Sequence, residues 1–143
     1  MEIVIRKIAT ADVNEITKLA EQLGYTMSQS QMLRNIEALQ EHKDCDAYVA
    51  VHEEQVIAWI GLVYRIQLES PPFCEINGLV VDDRYRGKGI GKILIEKARN
   101  WTMVKGCDHL RLRTNVIRHE AHEFYSALGF VETKQQKVFE MSI

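Results

Sequence analysis

The sequence predicts a mixed α/β (α+β) domain: a largely antiparallel sheet of six or seven strands with helices on both faces. Three observations lead there. Runs that alternate or stay apolar, such as DAYVAVH (46–52), QVIAWIGLVYRI (55–66) and CEINGLVVD (74–82), read as strands. Runs with apolar residues at helical spacing read as amphipathic helices. The two kinds interleave in the order β-α-α-β-β-β-α-β-α-β-β, with no linker, repeat or low-complexity stretch, so residues 1–143 are expected to form one domain.

The elements follow in turn. Residues 2–8 alternate loosely as a first strand. Val13, Ile16, Leu19, Ala20 and Leu23 recur at helical spacing, and Gly24 is a natural stop. Ser28 and Gln31 fit a capping box for a second helix, whose apolar face carries Met32, Leu33, Ile36 and Leu39. Glu53-Glu54 joins two strands as a hairpin, and Ser70-Pro71-Pro72 breaks the chain before the strand at 74–82. A helix to about Lys105 packs through Ile90, Ile93, Leu94, Lys97, Ala98 and Trp101, and Gly106 ends it. HLRLRTN (109–115) alternates as a strand. Ala121, Phe124, Tyr125 and Leu128 share one side of a last helix closed by Gly129. FVETKQQKVFEMSI supplies two final strands around Lys134-Gln135-Gln136.

Composition narrows the function classes. A formal net charge of −2 provides no general basic field for nucleic acid or an anionic membrane. The first residues enter a strand without a basic, then apolar leader, and no apolar run is long enough to cross a bilayer. Cys45, Cys74 and Cys107 are widely spaced without a CxxC pair and read as reduced thiols. A cytoplasmic protein is expected.

Residues 84–92, RYRGKGIGK, stand between an apolar strand and an amphipathic helix. A helix N-terminus has backbone N–H groups without partners and a dipole that favours anions. Glycines allow close approach and positive φ, and Arg86, Lys88 and Lys92 add charge, so the junction reads as a pyrophosphate cradle. Two common phosphate loops are excluded. For GxxxxGK[ST], Arg86 stands where the first glycine belongs and Ile93 where the hydroxyl belongs; for GxGxxG, Lys92 or Leu94 replaces the last glycine.

Arg86-Gly87-Lys88-Gly89-Ile90-Gly91 resembles the R/Q-x-x-G-x-G/A acyl-CoA signature of the GNAT superfamily of N-acetyltransferases, and the element order resembles the GNAT fold over nearly the whole chain. The resemblance implies acetyl-CoA as acyl donor and an amine as acceptor, with no metal required. It implies that the backbone N–H groups of Gly87, Lys88, Gly89, Ile90, Gly91 and Lys92 hold the pyrophosphate, with Arg86 of the signature also binding the cofactor. Leu79, Val80 and Val81 would pair with the pantetheine arm like an added strand. The arm would enter where two parallel strands, 74–82 and 109–115, splay apart, and Gly78 would mark a bulge in the first.

The segment TNVIRHEAHEFYSALGF (114–130) resembles that of the aminoalkylphosphonate N-acetyltransferases and, less closely, the aminoglycoside 6′-N-acetyltransferases. That implies a small-molecule amine acceptor; a protein or peptide acceptor and a non-catalytic acyl-CoA sensor are the alternatives. By the same resemblance Asn115 contacts pantetheine, and Tyr125, four residues before Gly129, lies near the thioester sulfur as general acid. A phenol and a thiolate have similar pKa values, which suits proton transfer between them. Glu75, eleven residues before Arg86, stands where some GNAT enzymes place a general base; the competing reading is a surface carboxylate. His122 shares a helix face with Tyr125 and can line the pocket, and Arg118 can meet an anion.

Other patterns carry less. His119 and His122 are three apart, not the four of HExxH, so no metal site is expected. Cys74 has no activating partner in sequence and reads as a buried thiol. Arg111 and Arg113 alternate on one side of a strand, where a solvated stripe competes with a ligand contact. The apolar tail VFEMSI is compatible with a homodimer.

Overall fold

A computed structural model describes residues 1–143, which cluster into two compact units, Met1–Arg113 and Thr114–Ile143. The first unit holds a five-stranded sheet: β1 (Val4–Lys7), β2 (Cys45–His52), β3 (Gln55–Gln67), β4 (Ser70–Val81) and β5 (Leu110–Leu112), in spatial order 1-2-3-4-5. The first three neighbouring pairs are antiparallel and β4 with β5 is parallel. Three helices belong to this unit: α1 (Val13–Glu21), α2 (Gln29–Glu41) and α3 (Ile90–Val104).

The period-two pattern of the strands sorts their side chains to two cores. Ala47, Val49, Val56 and Val80 pack with Ile16, Leu19, Ala20, Met32 and Ile36 of α1 and α2. The alternate residues face α3, which buries Ile90, Leu94, Ile95, Ala98 and Trp101. Trp101 Nε1 donates to Asp46 at 3.3 Å, and Lys97 Nζ sits 4.6 Å from the Tyr48 ring centre. Ile93, expected on the packed face, is exposed, and Ile95 is buried in its place. Apolar residues at both positions leave the helix phase open in the sequence, and Ile95 lies beside the buried Leu94 and Ala98 of the packed face.

The sequence-predicted hairpin is present. His52 pairs with Gln55, and Glu53 and Glu54 both have positive φ, 48° and 66°, as a two-residue turn requires. Ser28 caps α2 by accepting from the Gln31 N–H at 3.1 Å. Only half of the capping box forms, because the Gln31 side chain bonds Asn35 and Arg34 instead.

Three expectations need correction. Ser70-Pro71-Pro72 does not interrupt the sheet: Gln67 pairs with Ser70, and the prolines lie in the first residues of β4. A strand's start tolerates proline because its missing N–H need not join the ladder. β5 keeps only Leu110–Leu112 of the predicted 109–115. The sheet has five strands rather than six or seven, because residues 130–143 form no strand. Alternation gives a strand only where a partner supplies the ladder. No backbone hydrogen bond is donated beyond Phe130, and Val131, Val138, Phe139, Met141 and Ile143 are exposed. The second unit's regular element is α4 (His119–Ala127), followed by Gly129 at φ 98°.

Candidate active site

The strand pairing makes a gap. β4 and β5 pair only through Cys74–Leu110, Glu75–Arg111 and Ile76–Leu112. Beyond Ile76, β4 continues for five residues with β3 as its one neighbour, so Leu79, Val80 and Val81 have no strand on their other edge. The opening lies where the resemblance implied a splay, and it arises because β5 ends at Leu112. The bulge is present too: Gly61 pairs with Gly78 and Leu62 with Ile76, which leaves Asn77 as the extra residue.

The bulge has a side-chain cause. A Cβ on Gly78 would lie 2.6 Å from Trp59 Cζ3, and one on Gly61 would collide with the Asn77 carboxamide. Glycine at these two positions lets the indole and the carboxamide lie flat on the strands. The extra residue also reverses the facing of the strand before it. Cys74 and Ile76 turn into the α3 core, and Glu75 turns to the face that carries Trp59.

After β4 the chain makes one 3₁₀ turn, Asp83–Tyr85, and enters the glycine-rich loop. Asp82 braces the junction by accepting from the Arg84 N–H at 3.0 Å and from Arg84 Nη2 at 2.9 Å. These bonds, the side-chain one foremost, hold its carboxyl down to about 2. Arg86 Nε donates back to the Val81 carbonyl at 3.2 Å. Gly87 and Gly89 have φ of 75° and 83°, conformations that strain other residues, and Gly89 caps α3 without a side chain. No backbone hydrogen bond is donated by residues 86–92; the next donor is Ile93, to Gly89 at 3.2 Å. A Cβ added at Gly87 or Gly89 would meet nothing within 4 Å. Successive free N–H groups, open space and three nearby cations fit a pyrophosphate, which accepts many hydrogen bonds and carries negative charge.

Glu75 is buried, with its side chain 4% exposed, and is not the surface carboxylate of the competing reading. Arg65 of β3 places Nε and Nη2 each 3.1 Å from Oε1, and Arg113 Nε lies 3.5 Å from Oε2. Oε2 accepts no hydrogen bond.

Asn115, His122 and Tyr125 belong to the second unit. Asn115 Oδ1 accepts from the Ile117 N–H at 3.1 Å, and the Asn115 carbonyl accepts from His122 Nε2 at 2.9 Å. That bond assigns the imidazole proton to Nε2. His122 also meets His119 edge-on at 5.7 Å. Tyr125 packs edge-on against Phe124 and Phe130, at 5.2 and 5.8 Å between ring centres, and burial raises its phenol above the ordinary value.

Sequence reasoning missed Arg65 and Asp82. Arg65 had one signal, a charge inside the apolar run of β3; Asp82 had the signal of an acid one residue before a turn. In the sequence Arg113 is only one half of the Arg111–Arg113 stripe.

The Acetyltransferase (GNAT) family matches residues 6–130, a span that crosses both units, and the chain belongs to that family. N-acetylaspartate synthetase of Xenopus tropicalis is 35% identical over 83 residues, covering 58% of this chain and 30% of that protein. Aminoglycoside N(6′)-acetyltransferase type 1 of Stenotrophomonas maltophilia is 32% identical over 75 residues, covering 52% and 49%. These alignments thus span half or less of each relative's length. Among solved structures, an aminoglycoside N-acetyltransferase in complex with CoA superposes with a TM-score of 0.89 at 20% identity, over 99% of this chain and 96% of that one. The likeness establishes the fold.

Proposed function

We propose that the protein is an acetyl-CoA-dependent N-acetyltransferase acting on the primary amine of a small molecule by direct transfer in a ternary complex. The observation that carries this reading is the run of N–H groups at residues 86–92 that donate to no backbone acceptor, set one short turn after a strand whose edge is open. The family match and the CoA complex of the structural neighbour support it.

Acetyl-CoA, when bound, supplies an acetyl group on a thioester. The N–H groups of Arg86 to Lys92 hold its pyrophosphate, and the edge of Leu79, Val80 and Val81 pairs with the pantetheine arm. A backbone N–H near Val80 or Val81 polarises the carbonyl oxygen. As the amine nitrogen bonds to the carbonyl carbon and the C–S bond breaks, Glu75 accepts the amine proton, directly or through water. Tyr125 gives a proton to the departing thiolate, and a raised phenol is held protonated for that task at neutral pH. Asn115 contacts pantetheine, and His122, fixed by its bond to Asn115, lines the cofactor side. The family match includes residues of both units. Three free cysteines, two of them buried, support a cytoplasmic setting.

The test is release of CoA thiol from acetyl-CoA against a panel of amines. Turnover is expected with at least one small amine. Tyr125→Phe should lower kcat by roughly a hundredfold or more, and Arg86→Ala should raise the KM for acetyl-CoA. Acetyl-CoA binding without turnover of any small amine would favour a sensor or a peptide acceptor.

A further inference from the structure

The bulge at Asn77 gives one face of the sheet a second set of charges. Arg65, Glu75 and Arg111 lie on the face that carries Trp59, and Arg113 reaches Glu75 from the end of β5. Three cations and one carboxylate make this patch net positive, in a chain whose formal net charge is −2.

The patch is not internally satisfied. Arg65 directs two nitrogens at Oε1, whereas Oε2 is buried and accepts nothing. Its one cation, Arg113 Nε at 3.5 Å, makes no hydrogen bond to it; a carboxylate oxygen shielded from water without a hydrogen bond is costly, and a donor that reaches it gains part of that cost back. Trp59 Nε1, on the same face of β3, is a buried donor without an acceptor. The side chains of Arg65 and Arg113 are 42% and 56% exposed, so most of their ten N–H donors remain available. Arg111 differs, with its guanidinium 4.1 Å from the Phe73 ring centre.

A ligand that completes this set needs a donor for Oε2 and an anion for the two guanidiniums. Planar guanidinium forks match carboxylate and phosphonate oxygens. A polycation would meet like charge at Arg65, Arg111 and Arg113. We infer that the acceptor is an amine bearing a carboxylate or phosphonate, with Arg65 and Arg113 holding the anion and the amine N–H directed at Glu75 Oε2. The inference rests on the acetyltransferase reading and narrows its substrate class.

The experiment measures steady-state acetylation of matched pairs: amino carboxylates against their amides, and aminoalkylphosphonates against amino alcohols, with polyamines and aminoglycosides alongside. The acids are expected to exceed their neutral partners at least about tenfold in kcat/KM, since a lost charge-assisted contact is worth a factor of that order. Arg113→Gln and Arg65→Gln should each raise the KM for the acid about tenfold more than the KM for the amide, with acetyl-CoA binding intact. Arg113→Lys should restore part of the loss, which a purely structural ion pair would not do selectively for acids. Equal turnover of acids and amides, better turnover of polycations, or an acid-to-amide ratio unmoved in Arg113→Gln would overturn the inference while leaving the acetyltransferase reading in place. Acetyl-CoA binding with no amine acetylated would also overturn it. Failure to bind acetyl-CoA at all would remove the reading beneath it.

Discussion

From Gly78 to Val81, β4 pairs with β3 alone; from Cys74 to Ile76 it is paired on both sides. The first stretch offers backbone, and it runs into a loop whose N–H groups are also free. The second has its backbone fully engaged and offers side chains instead: Glu75, with Arg65 across the strand pair and Arg113 beside it. In the proposed reading, one strand recognises in two ways. Backbone recognition suits a cofactor that is always the same, because it depends on shape and dipoles. Side-chain recognition suits the variable partner, because one substitution changes its charge.

The sharpest way to break the first half alone is at Gly89. Its φ of 83° is a left-handed conformation that costs a β-branched L-residue about 1–2 kcal/mol. In Gly89→Val the new side chain also stands where the anion approaches. Acetyl-CoA affinity by calorimetry should fall tenfold or more, a change of about 1.4 kcal/mol or larger. The acceptor preference should be unchanged. A variant with native affinity would show that the loop tolerates a different backbone and that the free N–H groups do not bind.

The bulge joins the two halves, and Gly78→Ala strains it. The added methyl would sit 2.6 and 2.7 Å from Cζ3 and Cη2 of Trp59, a rigid ring that must move. Overpacking of this kind costs about 1–3 kcal/mol, measurable by urea denaturation. An unchanged midpoint would mean that Trp59 leaves Gly78 freely, and the account of how Glu75 is turned to its face would fail.

A smaller effect separates the cradle's scaffold from its ligand contacts. Asp82 has its carboxyl depressed to about 2 by Arg84, its side-chain hydrogen bond foremost. A depressed folded value adds stability that is fully present above the unfolded value of about 4 and is lost as pH falls toward 2. Asp12, lowered by its hydrogen bond from Arg6, acts in the same direction. Thermal melts of wild type and Asp82→Asn should therefore differ above pH 4 and converge toward pH 2. A constant gap across that range would assign Asp82 no titrating role.

The two halves were not equally legible in the sequence. The cradle was, because Gly87, Gly89 and Gly91 sit at fixed offsets from Arg86, and glycine spacing encodes backbone conformation directly. Gly78 pointed to the bulge for a different reason, since a side chain there would meet Trp59. Glu75 was placed by its distance from Arg86, but its neighbours were not, because facing in a strand has period two and one extra residue, Asn77, reverses it. Sequence alternation cannot register a bulge until the partner strand is known. Arg65 meets Glu75 only through the pairing of β3 with β4, ten residues away along the chain. The C-terminal residues failed for a related reason: VFEMSI alternates, but no ladder forms there.

Arg111 gives the finest test of the second half. It shares a face with Glu75 and pairs with it across the parallel register, so sequence and topology alike put it in the charged set. Its guanidinium nevertheless lies 4.1 Å from the Phe73 ring centre, a stacking geometry worth about 0.5–1 kcal/mol at a partly exposed site. Arg111→Leu keeps apolar cover on Phe73 and removes the charge. Stability should fall by no more than that amount, and the preference for acids over amides should stay within about twofold of wild type, well below the tenfold change that a direct contact produces. A tenfold loss of preference would move Arg111 from packing into anion recognition. The charged face would then act through three guanidiniums rather than two, and its field rather than a two-armed contact would select the acceptor.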